Sequence, residues 1–182
     1  MTHPYAIDAD TLSGMKPLRK VVFALGANLG DRLDNLQSAL DELSNTPDVI
    51  VVDVSPVYET EAIGGPEDNP DFLNAVVVAE TTQPPRTLIE RAHAIESAYG
   101  RNREEPNGPR TLDVDVIVVG NVRQETDPTL PHPRAHQRAF VLVPWAAVDP
   151  LGEIPGHGRI VELLEDMDAS GVRKTDLTLE VE

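Results

Sequence analysis

The sequence predicts an α+β fold in which helices flank an antiparallel sheet. Four strand-like and two helix-like segments follow one another in the order β-α-β-β-α-β, which is the order of the ferredoxin-like arrangement. The 182 residues are enough for one domain with a sizeable core, and 40% hydrophobic and 25% charged residues are ordinary for a globular protein. We therefore expect a loosely ordered arm at residues 1–18 and a single domain at residues 19–182, which ends in a C-terminal helix and tail.

The first half of the chain predicts two strands and the helix between them. The run "KVVFAL" predicts a strand over residues 20–25, which ends in a glycine turn. In "GDRLDNLQSALDEL" leucines recur at helical spacing, and Asp31 is a suitable N-cap. The run "DVIVVDVSPVYET" predicts the second strand, in which Pro56 indicates a bulge or an edge.

The second half predicts two more strands, a long helix and a C-terminal cover. The strands are "DFLNAVVVAET" and "RTLDVDVIVVG". Between them, "PPRTLIERAHAIESAYG" predicts a helix with Pro85 in its first turn and Gly100 just past its end. The apolar run "RAFVLVPWAAV" suits a short helix or a strand, and "GRIVELLEDM" predicts an amphipathic helix on the other face of the sheet. The last residues either add a strand or fray.

The charge balance argues against two classes of partner. A formal net charge of −16 opposes sequence-independent binding to nucleic acid and a polybasic contact with a membrane. There is no cysteine and no apolar run long enough to span a bilayer, and we expect a cytoplasmic monomer. One local group of arginines suits a small anionic ligand, although each could instead pair with a surface acid: Arg101, Arg103, Arg110, Arg123, Arg134 and Arg138.

The fourth strand begins with two aspartates one residue apart, although Asp is disfavoured in strands. Because side chains alternate between the faces of a strand, Asp113 and Asp115 should share one face and Val114 should point to the other. Two neighbouring carboxylates repel each other unless a positive charge lies between them. A divalent cation would supply that charge, and so would Arg110. A half-exposed strand with a polar outer face would need neither.

Several well-known site motifs are absent. The sequence contains no P-loop motif, no GxGxxG and no HExxH. His132 and His136 are four residues apart, but Pro131 and Pro133 oppose a helix there. We therefore do not predict a two-histidine zinc site at this position.

The acid pair, the arginines and His132 together favour phosphoryl or pyrophosphoryl transfer. Carboxylate oxygens suit Mg²⁺, which keeps bound waters and is completed by substrate phosphates. Arginines bind phosphate through bidentate hydrogen bonds. Catalysis would then consist of positioning, metal bridging and charge neutralisation. A Mg²⁺-dependent nucleotidyltransferase or phosphotransferase with another acceptor would use the same residue types.

A second group of candidate residues surrounds a Gly-Gly loop in "YETEAIGGPEDNPDFLNAV". Phe72 and Asn74 are two residues apart in a strand and so share a face, and Thr60 precedes the loop. An aromatic plane beside an amide suits a flat heterocycle with hydrogen-bonding edges. The alternative is a core phenylalanine and a surface asparagine. Phe140 is either a second ring-stacking residue or part of the core.

With these motifs in place, the chain resembles the 6-hydroxymethyl-7,8-dihydropterin pyrophosphokinases of folate biosynthesis. Six stretches carry the resemblance, in the family's order across residues 20–150: "ALGANLGDR", "SPVYETEAIG", "NPDFLNAVV", "IESAYGRNR", "GPRTLDVDVIVVG" and "LPHPRAHQRAFVLVPW". The resemblance implies a ferredoxin-like core and an ATP- and Mg²⁺-dependent diphosphotransferase. Such an enzyme moves pyrophosphate from ATP to the hydroxymethyl group of 6-hydroxymethyl-7,8-dihydropterin and releases AMP, with two Mg²⁺ ions bridging the ATP phosphates.

The resemblance also implies roles for individual residues. Asp113 and Asp115 match the metal ligands, and together with Arg101 and Arg110 they match the catalytic positions. The matching ATP-binding positions are Glu96, Arg101, Arg103, Arg110, His132 and Arg138. The matching pterin-binding positions are Thr60, Ile63, Phe72, Asn74 and Phe140. The loops at residues 27–31, 61–70 and 102–109 would close over the site and exclude water.

The chain departs from the family pattern mainly in one loop. Pro106 and Asn107 occupy the positions where family members often carry Arg-Trp, which removes one cation and one aromatic ring from this loop. An alternative of a different class is a ferredoxin-like regulatory module that binds a small molecule without chemistry. Such a module has no need for Asp113 and Asp115 on one face with arginines nearby.

Overall fold

The computed structural model describes residues 16–61, 70–100 and 111–181. Its strands are β1 (Arg19–Ala27), β2 (Val49–Val54), β3 (Tyr58–Thr60), β4 (Phe72–Thr81), β5 (Asp113–Val119), β6 (Glu153–Ile154), β7 (Gly158–Arg159) and β8 (Val172–Lys174). Its helices are α1 (Arg32–Ser44), α2 (Pro85–Ala98), α3 (Ala139–Val148) and α4 (Ile160–Glu165), with a 3₁₀ turn at Ala135–Gln137. Within these ranges, no helix combines the length and the apolar character needed to cross a membrane.

The main sheet is antiparallel and has β1 and β4 at its centre. Neighbouring strands pair in the order β5-β1-β4-β3-β8, and β2 pairs with β4 alongside β3. β1 pairs with β4 along its whole length and with β5 on its other side. Helices cover both faces, so the prediction of an α+β fold with an antiparallel sheet flanked by helices is confirmed.

The predicted second strand is divided at Pro56 into β2 and β3. Proline has no backbone N–H to donate, so a continuous ladder cannot pass through it. Ser55 bridges the gap: its backbone N–H donates to the Val76 carbonyl at 2.9 Å, and its hydroxyl accepts from the Val76 N–H, also at 2.9 Å. Both halves therefore keep β4 as their neighbour, and the irregularity falls where the proline predicts it.

Helices α1 and α2 pack on one face of the sheet through the apolar positions that the sequence spacing predicts. The buried side chains are Leu36, Ala39, Leu40 and Leu43 from α1 and Leu88, Ala92 and Ile95 from α2. The Asp31 carboxylate caps α1 by accepting from the Asp34 N–H at 3.2 Å. Gly100 follows α2 with φ +79°, a left-handed conformation that favours glycine at the end of a helix.

The opposite face is covered mainly by α3. The run that suits either a helix or a strand forms this helix, and its Val141, Leu142 and Trp145 are buried against the sheet residues Val22 and Val76. The predicted late helix is shorter than its sequence pattern, because Gly158 and Arg159 pair with β6 as strand β7. Of the remaining eight residues, the first six form α4, which ends before Asp166 and Met167.

The last described residues add a strand and do not fray. β8 pairs with β3 at the edge of the sheet. Beyond it, the Thr175 N–H donates to the Val57 carbonyl at 3.0 Å. The Gln37 side chain on α1 donates to the Glu180 carbonyl and accepts from the Glu180 N–H, each at 2.9 Å. The C-terminal tail is thus attached both to the sheet and to α1, whereas the predicted N-terminal arm lies outside the described residues up to residue 15.

Candidate active site

A cavity of about 830 Å³ opens across the main sheet, which is within the usual size range of small-molecule sites. Its lining crosses the sheet from β5 through β1, β4 and β3 to β8, and the start of α3 closes one side. All described residues of the predicted site except Glu96 line it: Thr60, Phe72, Asn74, Asp113, Asp115, His132, Arg138 and Phe140. The fold therefore brings together residues that lie up to 80 positions apart in the chain.

One end of the cavity is acidic. Asp113 and Asp115 lie in β5 opposite Gly26 and Ala24 of β1, and both side chains are half-buried and line the cavity. Val114, between them, is 1% exposed and packs into the core on the α1–α2 side. The prediction that the two aspartates share one face of the strand is confirmed, so the two carboxylates approach any bound ligand from the same side.

The acid pair provides oxygen donors only. The described part of the chain contains no group of three or more His, Cys, Asp or Glu side chains that could hold a metal ion. Two carboxylates nevertheless fit Mg²⁺, because this ion commonly takes one or two protein carboxylates and completes its shell with water and phosphate oxygens. Asp113 and Asp115 thus fit a magnesium site that a phosphate substrate completes, and they do not fit a closed structural metal site.

Glu96 lies behind this strand and does not line the cavity. It is on α2, is 1% exposed, and its Oε2 accepts a hydrogen bond from the Val114 N–H at 2.8 Å. Among the described strands β5 lies at the edge of the sheet, so within them this N–H would otherwise lack a ladder partner. Glu96 therefore fixes the backbone between Asp113 and Asp115, and its predicted contact with nucleotide stays a prediction.

His132 stands beside the acid pair in the loop that follows β5. Its N–H donates to the Ile117 carbonyl at 2.8 Å, which attaches the loop two residues beyond Asp115. Its Nδ1 accepts from the Arg134 N–H at 3.2 Å, so the neutral ring carries its proton on Nε2. Burial lowers the pKa of His132, the charge of Asp115 partly opposes this, and Arg138 and Arg134 add to the lowering. At pH 7 the ring is neutral and offers an Nε2–H donor.

Arg138 and Phe140 form the side of the cavity at the start of α3. The Arg138 guanidinium carbon lies 5.5 Å from the centre of the Phe140 ring, within the range of a cation–π contact. Phe140 also packs against the core between the sheet and α3. The two interpretations of Phe140 are therefore compatible, because this ring lines the cavity and belongs to the edge of the core.

The other end of the cavity combines an aromatic ring with an amide–hydroxyl pair. Phe72 and Asn74 share the cavity face of β4, as predicted, and Thr60 faces them from β3. The Asn74 side-chain amide donates to the Thr60 hydroxyl at 2.7 Å, and both residues are buried. Burial excludes the alternative of a surface asparagine. The bonded pair holds fixed polar groups beside the Phe72 ring, an arrangement suited to a flat hydrogen-bonding ligand.

Gly26 lies between the two ends and was missed by the sequence reasoning. A Cβ atom at this position would lie 3.3 Å from Asn74 Oδ1, 3.6 Å from Phe72 Cδ1 and 3.9 Å from Asp113 Cβ. The acid end and the ring end therefore meet over the bare backbone of this glycine. The signal was present in "ALGANLGDR", but this glycine was interpreted as a turn, whereas it lies within β1.

Two further residues after β1 hold distant segments together, and the sequence patterns did not point to them. Asn28 is buried, and its side-chain amide donates to the Pro70 carbonyl at 3.0 Å. Arg32 donates to the Asp71 carbonyl at 2.9 Å and to the Glu59 carboxylate at 2.7 Å. These contacts tie the start of α1 to the chain on both sides of residues 62–69.

Four predicted site residues lie outside the described residues, namely Ile63, Arg101, Arg103 and Arg110. The same holds for residues 62–69 and 102–109 of the loops predicted to close over the site. Their roles stay predictions.

Comparison with known proteins identifies the family of this chain. A sequence profile of the family described as 7,8-dihydro-6-hydroxymethylpterin-pyrophosphokinase (HPPK) matches residues 22–150. The Mycobacterium leprae protein named 2-amino-4-hydroxy-6-hydroxymethyldihydropteridine pyrophosphokinase is 44% identical over 182 residues, covering 90% of this chain and 93% of its own length. The Mycobacterium bovis protein of the same name is 41% identical over 173 residues, covering 86% of this chain and 89% of its own length.

A solved structure supports the fold. The crystal structure of wild-type Plasmodium falciparum HPPK-DHPS with pterin and p-hydroxybenzoate matches 85% of this chain with a TM-score of 0.60 and 16% sequence identity. This chain spans 44% of that longer chain. On the profile match and the two mycobacterial relatives, the chain belongs to the 7,8-dihydro-6-hydroxymethylpterin-pyrophosphokinase family.

Proposed function

We propose that this protein transfers the β,γ-pyrophosphate of ATP to the hydroxymethyl oxygen of 6-hydroxymethyl-7,8-dihydropterin and releases AMP, as a step of folate biosynthesis. One observation carries the proposal: a carboxylate pair and an amide–hydroxyl pair lie on either side of Gly26 in a single cavity. Phosphates and a heterocycle bound at these two ends would meet over that glycine. Membership of the family supports the same chemistry.

The proposed reaction exchanges one P–O bond for another. The hydroxymethyl oxygen of the pterin forms a bond to the β-phosphorus of ATP. The bond between that phosphorus and the oxygen bridging to the α-phosphorus breaks, and AMP leaves with this oxygen. The alcohol gives up its proton to solvent or to a neighbouring acceptor. The protein has little covalent chemistry to perform, so its contribution is alignment and charge stabilisation.

The acid end would hold the ATP phosphates. Asp113 and Asp115 are the proposed ligands for two Mg²⁺ ions. Mg²⁺ held by these two carboxylates would supply positive charge against the negative charge of the phosphates. The Glu96 carboxylate supports this arrangement by fixing the Val114 N–H between the two aspartates. We also assign phosphate contacts to Arg101, Arg103 and Arg110 on the family resemblance.

His132 and Arg138 would bind the nucleotide on the neighbouring wall. The neutral His132 ring can donate its Nε2–H to a phosphate or ribose oxygen, while the Arg134 N–H holds Nδ1 in place. Arg138 adds a fixed positive charge, which its contact with Phe140 orients. A neutral hydrogen-bond donor and a single cation would together offset part of the negative charge of the nucleotide. Asp115 would remain ionised, as a carboxylate that binds a metal must be.

The ring end would bind the pterin. Asn74 and Thr60 are already bonded to each other, so a ligand amide or ring nitrogen would meet groups of fixed orientation. Phe72 and Phe140 would provide apolar contact to the ring, and Ile63 joins this group by resemblance. Preorganised polar groups of this kind reject ligands that leave them unpaired, because buried donors and acceptors without partners are unfavourable.

The test is AMP formation from ATP, Mg²⁺ and 6-hydroxymethyl-7,8-dihydropterin. We expect AMP that requires both the pterin and Mg²⁺. Asp115→Ala should abolish it, and Asp53→Ala, at an exposed aspartate on β2, should not. Pterin binding without AMP would favour the regulatory module. AMP formation without pterin, or ADP in place of AMP, would refute the proposed transfer.

A further inference from the structure

We propose that residues 167–172 form a specificity-determining wall at the ring end of the cavity, in which Val172 limits the size of the heterocycle that fits. The inference rests on the proposed function, because it takes the ligand of this end to be a pterin. It concerns a part of the chain that lies beyond residues 22–150, the range that the family profile matches.

The position of this wall follows from the sheet. Met167, Asp168, Gly171 and Val172 line the same cavity as the acid pair and Asn74. Val172 pairs with Thr60 in the register of β8 and β3, and Thr60 pairs with Phe72 in β4. The strand order then places β1 and β5 farther away on the other side of β4. Residues 167–172 therefore line the ring end of the cavity and not the acid end.

The wall is held by both backbone and side chains. Strand pairing with β3 and the Thr175 bond to Val57 fix the backbone. Arg173, next to Val172, lies 3.6 Å from the Glu59 carboxylate and 3.4 Å from the Asp71 carboxylate. Half-exposed ion pairs of this kind contribute little stability individually. They join β8 to the residues that flank the ring end, so the position of Val172 is coupled to that of Thr60.

The chemistry of the wall suits the edge of a flat ring. Met167 and Val172 are half-buried apolar side chains, and Met167 also packs against the core beneath α3. Methionine adapts to irregular shapes, whereas the β-branched valine is stiff. Val172 should therefore set a size limit, and Met167 should adjust to the ring that passes it.

Two tryptophan variants in the same strand provide the test. Val172→Trp fills the ring end, whereas Lys174→Trp places the same group on the same face of β8 outside the cavity lining. Isothermal titration calorimetry then gives the affinity of each folded variant for 6-hydroxymethylpterin and, separately, for ATP with Mg²⁺. We expect Val172→Trp to weaken pterin binding by at least about tenfold and to leave ATP binding within about twofold. Lys174→Trp should leave both affinities within about twofold.

Val172→Ala is the milder second variant, in case the tryptophan prevents folding. It should improve binding of a pterin with a bulkier ring substituent relative to binding of the parent pterin. The proposed wall is refuted if Val172→Trp folds and binds pterin like the wild type, or if Lys174→Trp weakens pterin binding as much as Val172→Trp does. It is also refuted if Val172→Ala does not change the ratio of the two affinities, for the bulkier pterin and for 6-hydroxymethylpterin. If the wild-type protein binds pterin but forms no AMP, only the proposed function is refuted. The pterin affinities of the Val172 and Lys174 variants would still test the wall.

Discussion

Gly26→Ala should impair turnover while leaving the stability of the fold nearly unchanged. The added methyl group would lie 3.3 Å from Asn74 Oδ1, which is closer than most carbon contacts, and 3.6 Å from the Phe72 ring. It would therefore occupy the floor on which we propose that the two substrates meet. Its neighbours would need to move by a few tenths of an ångström, and they face open cavity, so they have room to do so.

The expected change in stability is small. Replacing glycine by alanine at an ordinary backbone conformation stabilises a protein by about 0.4–1 kcal/mol through the unfolded state. Slight overpacking opposes this gain, so the free energy of unfolding should stay within about 1 kcal/mol of wild type. The two bound substrates, in contrast, would be pushed away from each other or from the floor of the cavity by a substantial part of the radius of the added methyl group. A misplacement of about 1 Å can lower a rate about 100-fold, and we expect kcat/KM for the pterin to fall by roughly that factor.

The assay combines urea unfolding with steady-state AMP formation. Lys20→Ala is the control, because Lys20 lies on the same face of β1 at its other end and bonds to Asp149 at 2.8 Å. It should lose at most about 1 kcal/mol of stability, as surface ion pairs do, and retain kcat/KM. Wild-type kcat/KM in folded Gly26→Ala would refute the view that the substrates meet over this glycine.

Three further changes probe the same site. Asp115→Ala should lose nearly all turnover. In the presence of a chelator it should lose no more than about 1 kcal/mol of unfolding free energy, since the change removes a carboxylate that repels its neighbour. A large loss of stability without metal would contradict the role of Asp115 as a metal ligand. Asn74→Ala should weaken pterin binding in calorimetry by about 1–3 kcal/mol, because it also deprives the Thr60 hydroxyl of its partner; equal weakening of ATP binding would overturn the assignment of the ring end. As the pH falls below about 6.5, the unfolded state takes up a proton at His132 more readily than the folded state, whose pKa is lowered by burial. The free energy of unfolding should therefore fall over this range, and His132→Gln should flatten the slope; an unchanged slope would argue against the burial effect.

The features that the sequence predicts are those with a local physical signal. Leucine spacing and Asp31 define α1, Pro85 and Gly100 bound α2, and Pro56 marks the division of the second strand. Period-two alternation was sufficient to place Asp113 and Asp115 on one face of β5. In each case the determining interaction lies within a few residues along the chain, which is the range over which sequence patterns are informative.

The features that the sequence could not predict depend on contacts between distant segments. Gly26 matters because strand register places it between Asn74 and Asp113, which no local pattern specifies. Glu96 is buried because its carboxylate meets the Val114 N–H, 18 residues along the chain. Val172 reaches the cavity only because β8 joins the edge of the sheet, and a strand of three residues is too short to carry a clear periodic signal.

In the proposed function, one cavity aligns ATP and a pterin for pyrophosphoryl transfer. The most direct test is a phosphorus NMR spectrum of the products formed from ATP, Mg²⁺ and 6-hydroxymethyl-7,8-dihydropterin. We expect AMP together with an equal amount of a pterin diphosphate ester, whose two phosphorus atoms give two coupled resonances. ADP with a pterin monophosphate, or ADP with free orthophosphate, would contradict it.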